Sequence, residues 1–136
     1  MSQREYDLGT AELEVLTELW NEEPATVRQV LTRLRARGRR LAYTTVLTFL
    51  TRLEQKGFVK SDKSGLAYVY RAAVSRERVQ QSRLKSLLQE LYDGAAGSLA
   101  LQLVRNERLS ADEVAELAKL IDQLDGKPKR RGKKKE

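Results

Sequence analysis

Neither cysteine nor histidine occurs in this chain of 136 residues, and that absence excludes much of protein chemistry. The thiolates and imidazoles that hold zinc, copper or iron-sulfur clusters are missing, as is the side chain that most often acts as a general base near neutral pH. No Gly-rich phosphate loop is present, and no spaced carboxylate pair stands out beyond acids such as Glu14 and Glu18, which read as ordinary helix-surface charges. The expectation is a chain that is no enzyme and carries no metal or cofactor. Long apolar runs are lacking as well. Nothing approaches the roughly 20 residues that cross a bilayer, and Met1 to Glu5 have no apolar signal stretch. A cytoplasmic protein with no membrane partner is expected.

What is present is charge, unevenly placed. The formal net charge is +7, yet residues 1–25 set Arg4 against seven acids, and residues 72–126 set seven basic residues against nine acids. Between them, residues 26–71 carry eleven cations (Arg28, Arg33, Arg35, Arg37, Arg39, Arg40, Arg52, Lys56, Lys60, Lys63 and Arg71) against only Glu54 and Asp62. Positive charge concentrated in one segment is the footprint of phosphate binding. A second concentration lies in 126–136, where seven basic residues face Glu136 and no apolar residue occurs. That stretch cannot bury a core and is expected to be a disordered basic arm.

The length suits one compact domain, or two small ones stabilised through an oligomer interface. Thr10 to Asn21 places Leu13, Leu16, Leu19 and Trp20 at helical spacing, with Trp20 expected in the core. Thr26 followed by Gln29 predicts a capping box for a second helix, whose buried stripe is Val27, Val30, Leu31 and Leu34 and whose end is Gly38. A third helix is predicted from about Ala42 to Lys56, ending at Gly57, with Val46, Phe49, Leu50 and Leu53 on one face. At about 100° per residue, Thr44, Thr48, Thr51, Arg52 and Gln55 fall on the other, flanked by Thr45 and Leu47. Short hydroxyls approach base edges closely, and a threonine methyl can touch a thymine methyl.

Two β-prone runs, Phe58 to Ser61 and Ala67 to Arg71, flank the turn Asp62-Lys63-Ser64-Gly65. Three helices followed by a basic-tipped hairpin are the parts of a winged helix, in which the third helix enters the major groove and the wing rests on the DNA backbone. Beyond Val74 the pattern is helical: Ser75 to about Tyr92, a break at Asp93-Gly94, a stretch with Leu99, Leu101, Leu103 and Val104, and a last helix capped by Ser110 and Glu113. These helices are too short to bury their apolar faces alone. Leu84, Leu88, Leu91, Val114, Leu117, Ile121 and Leu124 are the candidate dimerisation residues, with a monomer core as the alternative.

The residues Leu8, Glu12-Leu13, Val15-Leu16 and Leu19-Trp20, then Thr44-Thr45-Val46 with Thr48, Leu50 and Arg52-Leu53, then Lys56-Gly57-Phe58-Val59 and Tyr68-Val69-Tyr70, resemble the penicillinase-repressor family, known as BlaI/MecI, over roughly residues 6–125. The resemblance implies a mainly α fold with a β-hairpin wing: an N-terminal winged helix-turn-helix over 1–74 and a C-terminal helical dimerisation domain over 75–125, with 126–136 as the tail. It implies a homodimeric repressor bound to a palindromic operator in double-stranded DNA. Carried over by position, Thr44, Thr45, Thr48 and Arg52 become recognition-helix contacts, and the wing from Lys60 to Tyr70 touches phosphate. Where some members have Ser-Pro before this helix, Ala42-Tyr43 stands here. A regulatory protease cuts well-known members between Asn and Phe; the corresponding pair is Gln102-Leu103, and the clustered cysteines of a copper-sensing branch are absent.

The candidate DNA-binding residues are thus Arg39, Arg40, Thr44, Thr45, Thr48, Arg52, Lys60 and Lys63, with Arg52 assigned to phosphate. Tyr68 and Tyr70 share one strand face and either stack on nucleotides, or pack on the domain core or brace the wing. The competing function is a nonspecific or architectural nucleic-acid binder driven by the basic tail, which would bind all sequences alike and lose binding without residues 127–136.

Overall fold

A computed structural model describes residues 8–125; the expected disordered tail over 126–136 lies outside them. The elements in order are α1 (Thr10–Asn21), β1 (Ala25–Thr26), α2 (Val27–Ala36), α3 (Tyr43–Gln55), β2 (Val59–Asp62), β3 (Val69–Ala72), α4 (Arg76–Tyr92), α5 (Ala96–Asn106) and α6 (Ala111–Asp125). Two compact units divide the chain, one running to Glu90 and the other starting at Leu91.

In the first unit, local sequence chemistry sets the helix ends. Thr26 Oγ1 accepts from Gln29 N at 3.1 Å while Gln29 Oε1 accepts from Thr26 N at 2.9 Å, the reciprocal capping box expected for α2. Gly38 and Gly57 follow α2 and α3 with φ of +90° and +87°, a backbone state costly for any residue with a Cβ. The strands form one antiparallel sheet in the order β1-β3-β2, with Lys60 opposite Arg71 and Ser61 opposite Tyr70. The two-residue β1 escapes sequence reading because it is a strand only by virtue of its pairing with Val69 and Tyr70.

Leu16 and Leu19 of α1, Val30, Leu31 and Leu34 of α2, and Val46, Leu50 and Leu53 of α3 are almost wholly buried, closed beneath by Phe58, Val59 and Tyr70. This is a winged helix. Val15 joins the core although the sequence reading left it off the α1 stripe.

Two expectations need correction, and one open choice divides. Trp20 is only partly buried and packs against the edge of the core, its indole Nε1 donating to Val74 O at 2.9 Å. Glu18 is buried rather than a surface acid, and it is paired with Arg37. Tyr68 and Tyr70 divide: Tyr70 is buried within β3, whereas Tyr68 precedes the strand and is exposed.

The first part of α4 belongs to this same unit. Ser75 Oγ caps it by accepting from Arg78 N at 3.1 Å, Val79 enters the core, and Arg83 donates to Leu8 O at 3.4 Å. Farther along, Leu84 and Leu87 are exposed and Leu88 is half-buried. In the second unit the break after α4 carries Asp93 and Gly94 at positive φ. Ser110 and Glu113 form the predicted capping box, with bonds of 3.0 and 2.9 Å. No residue of α5 is buried. Val114, Leu117, Leu120, Ile121 and Leu124 of α6 are between 40% and 62% exposed, and Leu91 is 69% exposed. Among the described residues no helix is long and apolar enough to cross a membrane.

Candidate nucleic-acid interface

The interface is built on α3. Its inward positions, Val46, Leu50 and Leu53, have no exposed surface. That anchoring turns Thr44, Thr48, Thr51, Arg52 and Gln55 to solvent on the opposite side, with Thr45 and Leu47 half-buried at the flanks. Thr48 Oγ1 donates its proton to Thr44 O at 2.9 Å. The hydroxyl therefore presents only lone pairs and a methyl outward, a combination suited to an amino group and a thymine methyl in the major groove.

The turn before α3 is held by its own side chains. Arg35 donates from Nε and Nη2 to Leu41 O at 3.4 and 3.2 Å, and Arg39 N closes on Leu34 O at 3.0 Å. Arg35, Arg39 and Arg40 line an open crevice beside this turn. The acids of α1 and Glu22 just after it take up several cations of the segment: Arg33 lies 3.6 Å from Glu22, Arg39 lies 3.2 Å from Glu14, Arg37 meets Glu18, and Lys56 Nζ reaches Glu12 Oε1 at 2.9 Å. Arg39, a candidate contact from the sequence, is therefore engaged, while Arg40 and Arg52 stand exposed with no acidic partner among the described residues.

The wing supplies further positive charge. Lys60 and Arg71 are exposed cross-strand partners. Like charges facing one another destabilise a sheet, an arrangement that an anion between them would relieve. Asp62 Oδ1 accepts from Ser64 N and Oγ at 3.0 and 2.6 Å, which shapes the turn and, with the Arg71 charge, holds the Asp62 carboxyl below its ordinary pKa. Lys63 lies 5.5 Å over the Tyr68 ring, and Leu66 is fully exposed at the tip. Ser61 Oγ donates to Glu54 Oε2 at 2.6 Å and so ties the wing to α3. Burial, and then the nearby Glu54 charge, pushes the Tyr70 hydroxyl pKa up.

All the candidate DNA-binding residues named from the sequence lie in α3, the turn before it or the wing. The structure adds three. Tyr43, the first residue of α3, is 41% exposed, and the Arg28 guanidinium from the start of α2 lies 5.1 Å over its ring. Arg71 joins through its register with Lys60. The periodicity of α3 carried no signal for Tyr43 because it lies at the helix end; Arg71 was legible only as charge. Among the described residues no group of acids could hold a metal ion.

Comparison with known proteins finds relatives over most of the chain. The chain is 38% identical over 120 residues to the transcriptional regulator BlaI of Mycobacterium tuberculosis (strain CDC 1551 / Oshkosh), covering 87% of this chain and 85% of that protein. It is 28% identical over 122 residues to the methicillin resistance regulatory protein MecI of Mammaliicoccus sciuri, covering 90% and 98%. A solved MarR family protein from Bacillus stearothermophilus aligns over 88% of this chain and 74% of its own at 19% identity, with a TM-score of 0.46, a partial likeness from which nothing about ligands follows. The sequence profile of the penicillinase repressor family matches residues 8–123. The chain belongs to the penicillinase repressor family, whose members are transcriptional regulators and not enzymes.

Proposed function

We propose that this DNA-binding repressor acts in the cytoplasm as a homodimer, with residues 1–74 of each subunit on one half of a palindromic operator and residues 75–125 joining the subunits. The observation that carries the reading is the outward face of α3: Thr44, Thr48 and Arg52 exposed above a fully buried Val46, Leu50 and Leu53. Thr44, Thr45 and Thr48 would read base edges. Arg40 and Arg52 with Lys60 and Lys63 would grip phosphate, Arg39 being held by Glu14, a division in which base contacts give sequence and phosphate contacts give register.

Support for the dimer comes from Leu84, Leu91, Val114, Leu117, Ile121 and Leu124, which are all exposed. A second copy would remove this apolar surface from water at roughly 25 cal/mol per Å², and two linked half-sites gain affinity. Gln102 and Leu103 lie inside α5, where Gln102 Oε1 accepts from the Tyr92 hydroxyl at 2.9 Å. A regulatory protease would have to open that helix, and no such partner enters this reading.

Selection of genomic fragments by the purified protein at about 150 mM salt, where unspecific phosphate attraction is weakened, tests the function. Enrichment of a palindrome with half-sites about one helical turn apart is expected. Fragments without a shared motif would leave a nonspecific binder instead.

A further inference from the structure

A crevice of about 270 Å³ lies between α1 and the first half of α4, within the first unit. Leu13 and Trp20 line it from α1, Val79 forms part of its floor from α4, and Arg76, Gln80 and Arg83 stand on its α4 side. Its surface is mainly apolar. The charged residues that line it are nonetheless both cationic, Arg76 and Arg83, while the described acids on this stretch of α1 pair elsewhere: Glu12 with Lys56, Glu14 with Arg39 and Glu18 with Arg37. Arg76 uses one nitrogen on Asn21 Oδ1 at 2.7 Å while its guanidinium lies 5.4 Å over the Trp20 ring. Arg83 spends one nitrogen on a long 3.4 Å bond to Leu8 O. A guanidinium has five N–H donors, so each arginine retains donors for an anion.

We propose that this crevice binds a small amphipathic carboxylate, with the apolar body against Leu13, Trp20 and Val79 and the carboxylate at Arg83. Size limits the ligand to a single ring or a short chain, since drug-sized molecules occupy pockets of roughly 300–1,000 Å³. Apolar walls with a few convergent polar groups are the usual makeup of a small-molecule site, and a carboxylate matches the guanidinium fork better than a neutral group does. The site is separate from the α3 face and the wing, and its test is independent of DNA binding.

The chain's one tryptophan lines the crevice, so its emission reports occupancy directly. Cyclohexanecarboxylate, transparent where tryptophan absorbs, should change that emission saturably with a Kd on the order of 1 mM, and cyclohexylmethanol should bind about tenfold more weakly. Gln80→Glu places a negative charge on an exposed crevice position and should weaken the carboxylate about tenfold while leaving the alcohol unchanged. Arg83→Gln should reduce the preference for the carboxylate, with the circular dichroism spectrum and Tm held as controls. A response that does not saturate, or equal binding of acid and alcohol to the parent chain and to Gln80→Glu, overturns the proposal.

Discussion

The Lys56 ammonium, at the end of α3, donates a 2.9 Å hydrogen bond to Glu12 Oε1 in the first turn of α1, and the same oxygen accepts from Gly9 N at 3.1 Å. One buried carboxylate thus fastens the C-terminal end of α3 to α1. Burial raises the Glu12 pKa, but the hydrogen bonds from Lys56 and Gly9 and the charges of Lys56 and Arg52 together outweigh it, leaving the group below its ordinary value. The unfolded chain therefore binds the proton more readily. The stabilisation is present above the ordinary carboxylate pKa and is lost as pH falls through the folded value. Glu12→Gln should lower stability at neutral pH by about 1–2 kcal/mol and flatten the acid side of a plot of Tm against pH.

Thr48 and Arg52 should separate specificity from grip. Thr48→Ala removes a methyl and an acceptor from an exposed position, so operator affinity should fall by about 1–3 kcal/mol with little change for unrelated DNA. Arg52→Ala should weaken both alike and reduce the salt slope by about one. Competition binding at several salt concentrations distinguishes the two, with an unchanged Tm as the control for folding.

The Arg28 guanidinium over the Tyr43 ring fixes a long cation at the junction of α2 and α3. If that cation contacts phosphate, Arg28→Ala and Tyr43→Ala should each weaken operator binding, the second by about 0.5–1 kcal/mol, while Tyr43→Phe keeps the ring and should bind nearly as the parent does. The double variant should lose less than the sum of the two single losses, as expected for side chains in contact.

Leu117→Glu combined with Ile121→Glu places charge on exposed α6 positions and should leave each winged helix folded. Sedimentation should then report a monomer and operator affinity should collapse, because two half-sites no longer bind as one unit. A persistent dimer would move the interface off α6.

Features that depend on a few neighbouring residues were legible in the sequence: the Thr26–Gln29 and Ser110–Glu113 capping boxes, the stops at Gly38 and Gly57, and the buried stripes of α2 and α3. The polar face of α3 followed from the same periodicity. Features set by distant partners were not. β1 exists through Tyr70, the buried Glu18 is paired with Arg37 across two helices, and the indole of Trp20 finds its acceptor in the distant Val74 carbonyl. Arg39 shows the same limit at the candidate site, since its charge was plain while its pairing with Glu14 was hidden. Val79, read as part of the C-terminal helices, packs instead into the winged-helix core.

The pairing of Arg37, Arg39 and Lys56 with α1 carboxylates and of Arg33 with Glu22, together with the attachment of Arg35 to the Leu41 carbonyl, divides the eleven cations of residues 26–71 into two populations. Six have neither kind of partner among the described residues: Arg28, Arg40, Arg52, Lys60, Lys63 and Arg71. Each phosphate neutralised on duplex DNA expels about 0.9 of a condensed counterion. The ion release contributed by this segment should therefore follow the six rather than the eleven, so that α1 acts as a built-in counterion layer that tempers attraction to DNA of any sequence.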